Sequence, residues 1–159
     1  KPVEKPEDIT PFIESSYAMQ QAEKALELAN ELLENVDSYD RRGKEQAEQD
    51  VLIKEEEIKK LESDLEREID TLYHNINTAY RNVTEAETNL ENAKTDYERM
   101  KISYELGILS KHDYENGQLL VDQAELELTL SKMNYFVLQK QLEAMKNGLV
   151  QVSASAGGM

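Results

Sequence analysis

The chain contains no cysteine. Disulfides, thiolate metal sites and cysteine nucleophiles are therefore excluded, and the absence fits an oxidising compartment of the cell envelope. Proline is confined to positions 2, 6 and 11. With only six glycines and no stretch of alternating β-branched residues, the expected fold is all-helical. No apolar run reaches the ~18 residues that a membrane-spanning helix needs, so no direct membrane span is expected in this chain. Positive charge is scarce: 18 Lys and Arg face 33 Asp and Glu, a net charge of −15. Such acidity argues against a nucleic-acid backbone or an anionic lipid surface as partner. There are only two histidines, His74 and His112, and neither sits in a ligand-spaced cluster. The acidic run Glu55-Glu56-Glu57 reads as a solvated helix face, supported by Glu55–Lys59 and Glu56–Lys60 at the favourable spacing of four. No metal, cofactor or catalytic constellation is implied, and the chain is not expected to be an enzyme.

What the chain does contain is a seam. Ile69, Leu72, Ile76, Ala79, Val83, Ala86, Leu90, Ala93, Tyr97, Met100 and Tyr104 recur at steps of three and four. A second series follows: Tyr114, Gly117, Val121, Ala124, Leu128, Ser131, Tyr135, Leu138, Leu142 and Met145. This is the period of a supercoiling helix seam, and a charged chain with such regular periodicity is folded rather than disordered. Between the two series lies Gly107, able to take the left-handed backbone that ends a helix, with Ser110 placed to cap the next one. The two series predict a long antiparallel coiled-coil hairpin with a sharply defined tip.

Three helices are predicted. The first spans residues 8–35 with Pro11 in its first turn and a seam of Phe12, Ser15, Met19, Ala22, Leu26, Ala29, Leu33 and Val36. Ser38 is the candidate cap of the second, which spans 39–106 and carries Gly43 as a weak spot near its start. The run Ile58, Leu61, Leu65, Ile69, Leu72 contains two successive steps of four, a stutter that relaxes the supercoil. The third helix spans 111–146 and ends at Gly148. Residues 1–7 read as a flexible lead-in, residues 8–148 as one helical domain, and residues 149–159 as a disordered tail. Short connections make both flanking helices antiparallel to the long one, so the two short helices stack end to end along it. The third helix carries an extra stripe, Leu119, Leu126, Leu130, Met133 and Val137, that one helical partner cannot cover. The expected occupant is a neighbouring copy, hence a homo-oligomer; the competing reading is a bundle in which the chain folds back on itself.

The residues around the tip, Tyr97 to Gln118, resemble the repeat of the TolC-type outer-membrane efflux proteins. That family places an aromatic residue three before a glycine, apolar residues after it, a hydroxyl residue and then an aspartate six after the glycine. In this chain these are Tyr104, Gly107, Ile108, Leu109, Ser110 and Asp113. The Asn134-Tyr135 pair and the opening stretch Ala25–Ala29 followed by Asn35 extend the likeness over residues 20 to 148. The resemblance implies a TolC-like α-barrel unit, with trimers of two repeats each, or six copies of a single repeat, enclosing a periplasmic conduit. It implies that the tip meets the helical hairpin of a membrane-fusion adaptor protein through Gly107, Ile108, Leu109 and Ser110. It makes Tyr104 and Asp113 candidates for a gate network, while Asp113 by itself reads as a first-turn acid favoured by the helix dipole. The sequence departs from the family in holding one repeat and in reading as unbroken helix where the family inserts barrel strands.

The expected function is a non-enzymatic component of an efflux or export system in the cell envelope. It would act as a conduit or scaffold, periplasmic or otherwise extracytoplasmic; the chain opens with Lys1 rather than Met, which fits either a removed leader or a sequence that starts part-way into a longer protein. The alternative is a structural coiled-coil spacer or extracellular interaction module with no role in transport. His112 beside the tip is a candidate pH-sensitive contact, His74 an exposed residue beside the seam. Asn82-Val83-Thr84 matches a glycosylation acceptor, but on a helix such a match is chance more often than signal.

Overall fold

In the computed structural model, which describes residues 2–37 and 39–149, four helices follow in order: α1 (Thr10–Glu14), α2 (Tyr17–Glu34), α3 (Arg41–Glu105) and α4 (Lys111–Lys146). Among the described residues there is no strand, and the fold is the all-α arrangement of a 65-residue helix flanked by shorter ones. No described helix is long and apolar enough to cross a membrane. The chain divides into two compact units, one of Tyr73–Lys140 with the chain up to Glu4, the other of Lys5–Leu72 with the chain from Gln141 onward.

In the first unit α3 and α4 run antiparallel. Partners descend along one helix as they ascend the other: Tyr80 meets Tyr135 with ring centroids 5.9 Å apart, and Tyr97 meets Tyr114 at 5.3 Å. Between them, Glu87 pairs with Lys132 at 3.0 Å and Lys94 with Glu125 at 2.9 Å. All four charged side chains are about half exposed, so each pair is worth only ~0–1 kcal/mol and marks register more than it holds the fold. The core follows the predicted seam at Ile76, Ala79, Val83 and Ala86 of α3 and Val121 of α4, all buried, whereas at the start of the unit Tyr73 is buried and the predicted Leu72 just before it only half-buried. Val3 and Asn77 exchange two hydrogen bonds at 3.0 Å, the backbone N–H of Val3 donating to Oδ1 and Nδ2 donating to its carbonyl. The stripe Leu119, Leu126, Leu130, Met133 and Val137 lies on the outside of α4, each side chain 52–60% exposed.

In the second unit the two short helices meet end to end, as the lengths predict. α4 ends in a Schellman turn: Gly148 takes φ +82°, its N–H reaches the Met145 carbonyl, and the Leu149 N–H reaches the Ala144 carbonyl, both at 3.0 Å. The Gly148 carbonyl then accepts the Tyr17 N–H at 3.1 Å, joining the end of α4 to the start of α2. Met19, Leu65, Ile69, Leu142 and Met145 are buried around this joint, so the stutter residues Leu65 and Ile69 occupy the core of the unit. Lys5 pairs with Asp70 beside it.

The joint corrects one prediction. The first helix does not run unbroken over 8–35; it breaks at Ser15–Ser16. Ser16 leaves the helical conformation with ψ 139°, and its hydroxyl accepts the Met19 N–H at 3.2 Å as an N-cap. The break frees the Tyr17 N–H, which an intact helix would have spent on residue 13, to bond Gly148. Seam position Ser15 is exposed and Ser16 is fully buried in its place. The start of α3 also differs by two residues. Asp40 is its cap, with Oδ1 accepting the Gly43 N–H at 2.9 Å; the predicted cap, Ser38, lies outside the described residues, as does the predicted tail beyond Leu149. On the exposed acidic face the ion pairs are Lys54–Glu57 at 2.7 Å and Glu56–Lys59 at 3.0 Å, spaced three apart rather than four.

Candidate functional site at the hairpin tip

The tip is built from two helix-terminal motifs back to back. α3 ends in a second Schellman turn: the Gly107 N–H donates to the Tyr104 carbonyl and the Ile108 N–H to the Ser103 carbonyl, both at 2.9 Å. Gly107 sits at φ +73°, with nothing within 4 Å of the place a Cβ would occupy. Only glycine adopts that backbone without steric cost, and here the bare Cα faces open space. Ser110 opens α4 through a reciprocal cap. Its hydroxyl accepts the Asp113 N–H at 3.1 Å and donates to the Asp113 carboxylate at 2.6 Å. Ser103 and Leu109 are tied as well, the Leu109 N–H reaching the Ser103 carbonyl at 3.2 Å. The five-residue connection therefore has its backbone fixed at both ends.

This frame turns apolar side chains outward. Ile108 is 77% exposed and Leu106 69%. Leu109 is half-buried. Of the predicted tip residues, Gly107 and Ile108 form the outer surface and Ser110 holds the turn. Leu106, and Ile102 on the last turns of α3, are exposed apolar residues that sequence reasoning did not single out. Both fall off the seam, and only the solved position of the turn shows that they border the tip.

The two gate candidates have separate partners within the chain. Asp113 is engaged by Ser110, the first-turn capping role. Tyr104 stacks on Tyr114, with centroids 4.8 Å apart and ring planes 10° from parallel. Tyr114 also stacks on Tyr97 and shares a hydroxyl–hydroxyl hydrogen bond with it at 2.6 Å. The result is a ladder of three tyrosines leading from the seam to the tip. Sequence spacing does show that Tyr97 and Tyr104, seven apart, share a face of α3. It does not show that the ring of Tyr114 enters between them. The hydrogen bond to Tyr114 is the main cause, and partial burial the second, of a Tyr97 phenol pushed up to about 12. Below the ladder Gly117 is buried against Met100 and Tyr97; a methyl group there would displace the flexible Met100 side chain, whose sulfur lies 2.5 Å from the place a Cβ would occupy.

The remaining polar groups near the tip are surface contacts. Lys111 faces Glu115 at 3.5 Å, and the Asn116 amide lies 3.2 Å from His112 Nε2. His74 is exposed. In the second unit a cavity of about 580 Å³ beside the helix joint is lined by Leu72, Ala144, Met145 and Leu149, with Glu68 and Tyr17 its ionisable side chains. No group of three or more His, Asp or Glu side chains among the described residues has metal-binding geometry. No protein-family model matches the chain, and no curated protein matches it.

Proposed function

We propose that this chain is a non-enzymatic component of an export system in the cell envelope, a helical scaffold whose hairpin tip docks the helical hairpin of an adaptor protein. The observation that carries the reading is the tip itself: a turn fixed by hydrogen bonds at both ends that holds Leu106 and Ile108 in solvent around a glycine with no side chain. A preorganised apolar surface loses little conformational entropy on binding, and a Cβ-free backbone lets a partner approach closely. The resemblance of Tyr97–Gln118 to the tip of TolC-type proteins supports the choice of partner. In the conduit form of the same reading, six copies of this single repeat close into a ring; in the scaffold form they do not. The tip is tested by titrating the chain with a soluble helical-hairpin fragment of an adaptor protein and following binding by calorimetry. Ile108→Asp is expected to abolish the heat of binding while leaving the circular dichroism spectrum unchanged. Equal binding by wild type and Ile108→Asp would remove the tip from the function.

A further inference from the structure

The outer face of α4 carries an apolar pattern that the described residues leave more than half exposed. Leu119, Leu126, Leu130, Met133 and Val137 follow one another at steps of seven, four, three and four, the spacing of a second coiled-coil seam. Leu120 and Phe136, at 54% and 58% exposure, flank it on opposite sides, each about 100° around the helix. Reflected about position 128, Leu119 falls on Val137 and Leu126 on Leu130; only Met133 meets a polar residue, Gln123. A seam that reads alike in both directions matches a second copy of itself turned end for end, the self-complementary surface of a two-fold interface.

Charge runs the same way. Residues 111–128 hold five acids, Asp113, Glu115, Asp122, Glu125 and Glu127, against one base, Lys111. Residues 129–146 hold three bases, Lys132, Lys140 and Lys146, against one acid, Glu143. Antiparallel pairing sets the acidic half of one α4 beside the basic half of the other; parallel pairing sets acid against acid. The long helix offers no substitute partner, because between Ile53 and Ile102 it exposes no large apolar side chain among the described residues. The five stripe side chains, each with roughly 80–100 Å² still open, cover on the order of 900 Å² across two copies, the size of a weak, concentration-dependent pairing.

We propose that two copies of this chain pair through α4, antiparallel about a two-fold axis at Leu128, with Leu119 layered on Val137 and Leu126 on Leu130 of the second copy. The pairing takes the scaffold form of the function above and is independent of the tip, so a failure of adaptor docking leaves it standing. The absence of native cysteine makes single-cysteine variants clean reporters. Thr129→Cys and Glu127→Cys, on the two edges of the seam next to the axis, are each expected to form a disulfide-linked dimer under mild oxidation. Leu119→Cys is expected not to link to itself, but to link to Val137→Cys when the two variants are mixed. The double variant Leu126→Glu/Leu130→Glu is expected to run as a single chain in native mass measurement with its helicity retained. Self-linking of Leu119→Cys, a closed six-chain particle, or a wild-type chain that stays single at its highest soluble concentration would each overturn the proposal.

Discussion

The hydroxyls of Tyr97 and Tyr114 lie 2.6 Å apart across the hairpin, and the Tyr114 ring is stacked between those of Tyr97 and Tyr104. One consequence is a pH dependence confined to alkaline solution. The folded-state phenol of Tyr97 is raised to about 12, above the ~10 of an unfolded chain. The stability linked to it is therefore fully present below pH ~10 and is lost as pH rises through about 12. Urea unfolding measured at intervals from pH 8 to 12 is expected to show a falling midpoint only in the last part of that range. Tyr114→Phe removes the hydrogen-bond partner and keeps the ring. In that variant the ultraviolet titration of Tyr97 is expected to move down toward the ordinary phenol range, and the alkaline loss of stability linked to it to shrink.

The two helix-ending glycines differ in what surrounds them, and substitution separates the two costs. Gly107 has positive φ and open space; Gly148 has positive φ and, for an added Cβ, the Ser15 carbonyl oxygen at 2.6 Å. Gly107→Ala incurs only the backbone strain, about 1–2 kcal/mol, and Gly107→Asn less, because asparagine tolerates that conformation. Gly148→Ala adds a collision with backbone that cannot swing aside, a further ~1–3 kcal/mol, and disturbs the Tyr17 hydrogen bond that joins α2 to α4. Denaturant midpoints are expected to fall in the order Gly107→Asn, Gly107→Ala, Gly148→Ala, with the last clearly the least stable.

Both glycines were legible in the sequence, as were the bounds of α4 and the capping role of Ser110, because each depends on local backbone chemistry. The break at Ser15–Ser16 was not. Phe12, Ser15 and Met19 keep the three-and-four step straight through it, so the hydrophobic period alone continues the helix. What breaks it is the Gly148 carbonyl waiting for the Tyr17 N–H, a partner more than a hundred residues away. The tyrosine ladder is similar: period places Tyr97, Tyr104 and Tyr114 near one seam, but ring stacking depends on how the turn sets one helix against the other. Exposed Leu106 and Ile108 lie beyond both periods, where a pattern of spacing carries no information about which way a side chain faces.

Ser16 and Ser110 cap their helices by the same hydroxyl-to-backbone bond in opposite surroundings. Ser110 is exposed, and Ser110→Ala is expected to cost about 1 kcal/mol, the ordinary value of a lost N-cap. Ser16 is fully buried, so Ser16→Ala leaves the Met19 N–H without its acceptor and away from water. Its expected cost lies at the upper end of the capping range, about 2 kcal/mol. Amide hydrogen exchange distinguishes the two: Met19 is expected to lose protection in Ser16→Ala while Asp113 does not, and the reverse in Ser110→Ala.

Leucines on the two faces of this fold are chemically identical and physically opposite. Leu65 has no exposed surface, whereas Leu126 is 60% exposed. Leu65→Ala removes buried methyl groups and opens a cavity, with an expected loss of about 2–5 kcal/mol at any protein concentration. Leu126→Ala leaves the single chain nearly untouched, within about 0.5 kcal/mol. If α4 pairs with a second α4, however, Leu126 is buried at high concentration and open at low, and its contribution must follow mass action. Thermal unfolding over a dilution series is the measurement. The deficit of Leu65→Ala relative to wild type is expected to stay constant on dilution. That of Leu126→Ala is expected to grow with concentration, and a deficit flat near zero throughout would place this face of α4 permanently in water.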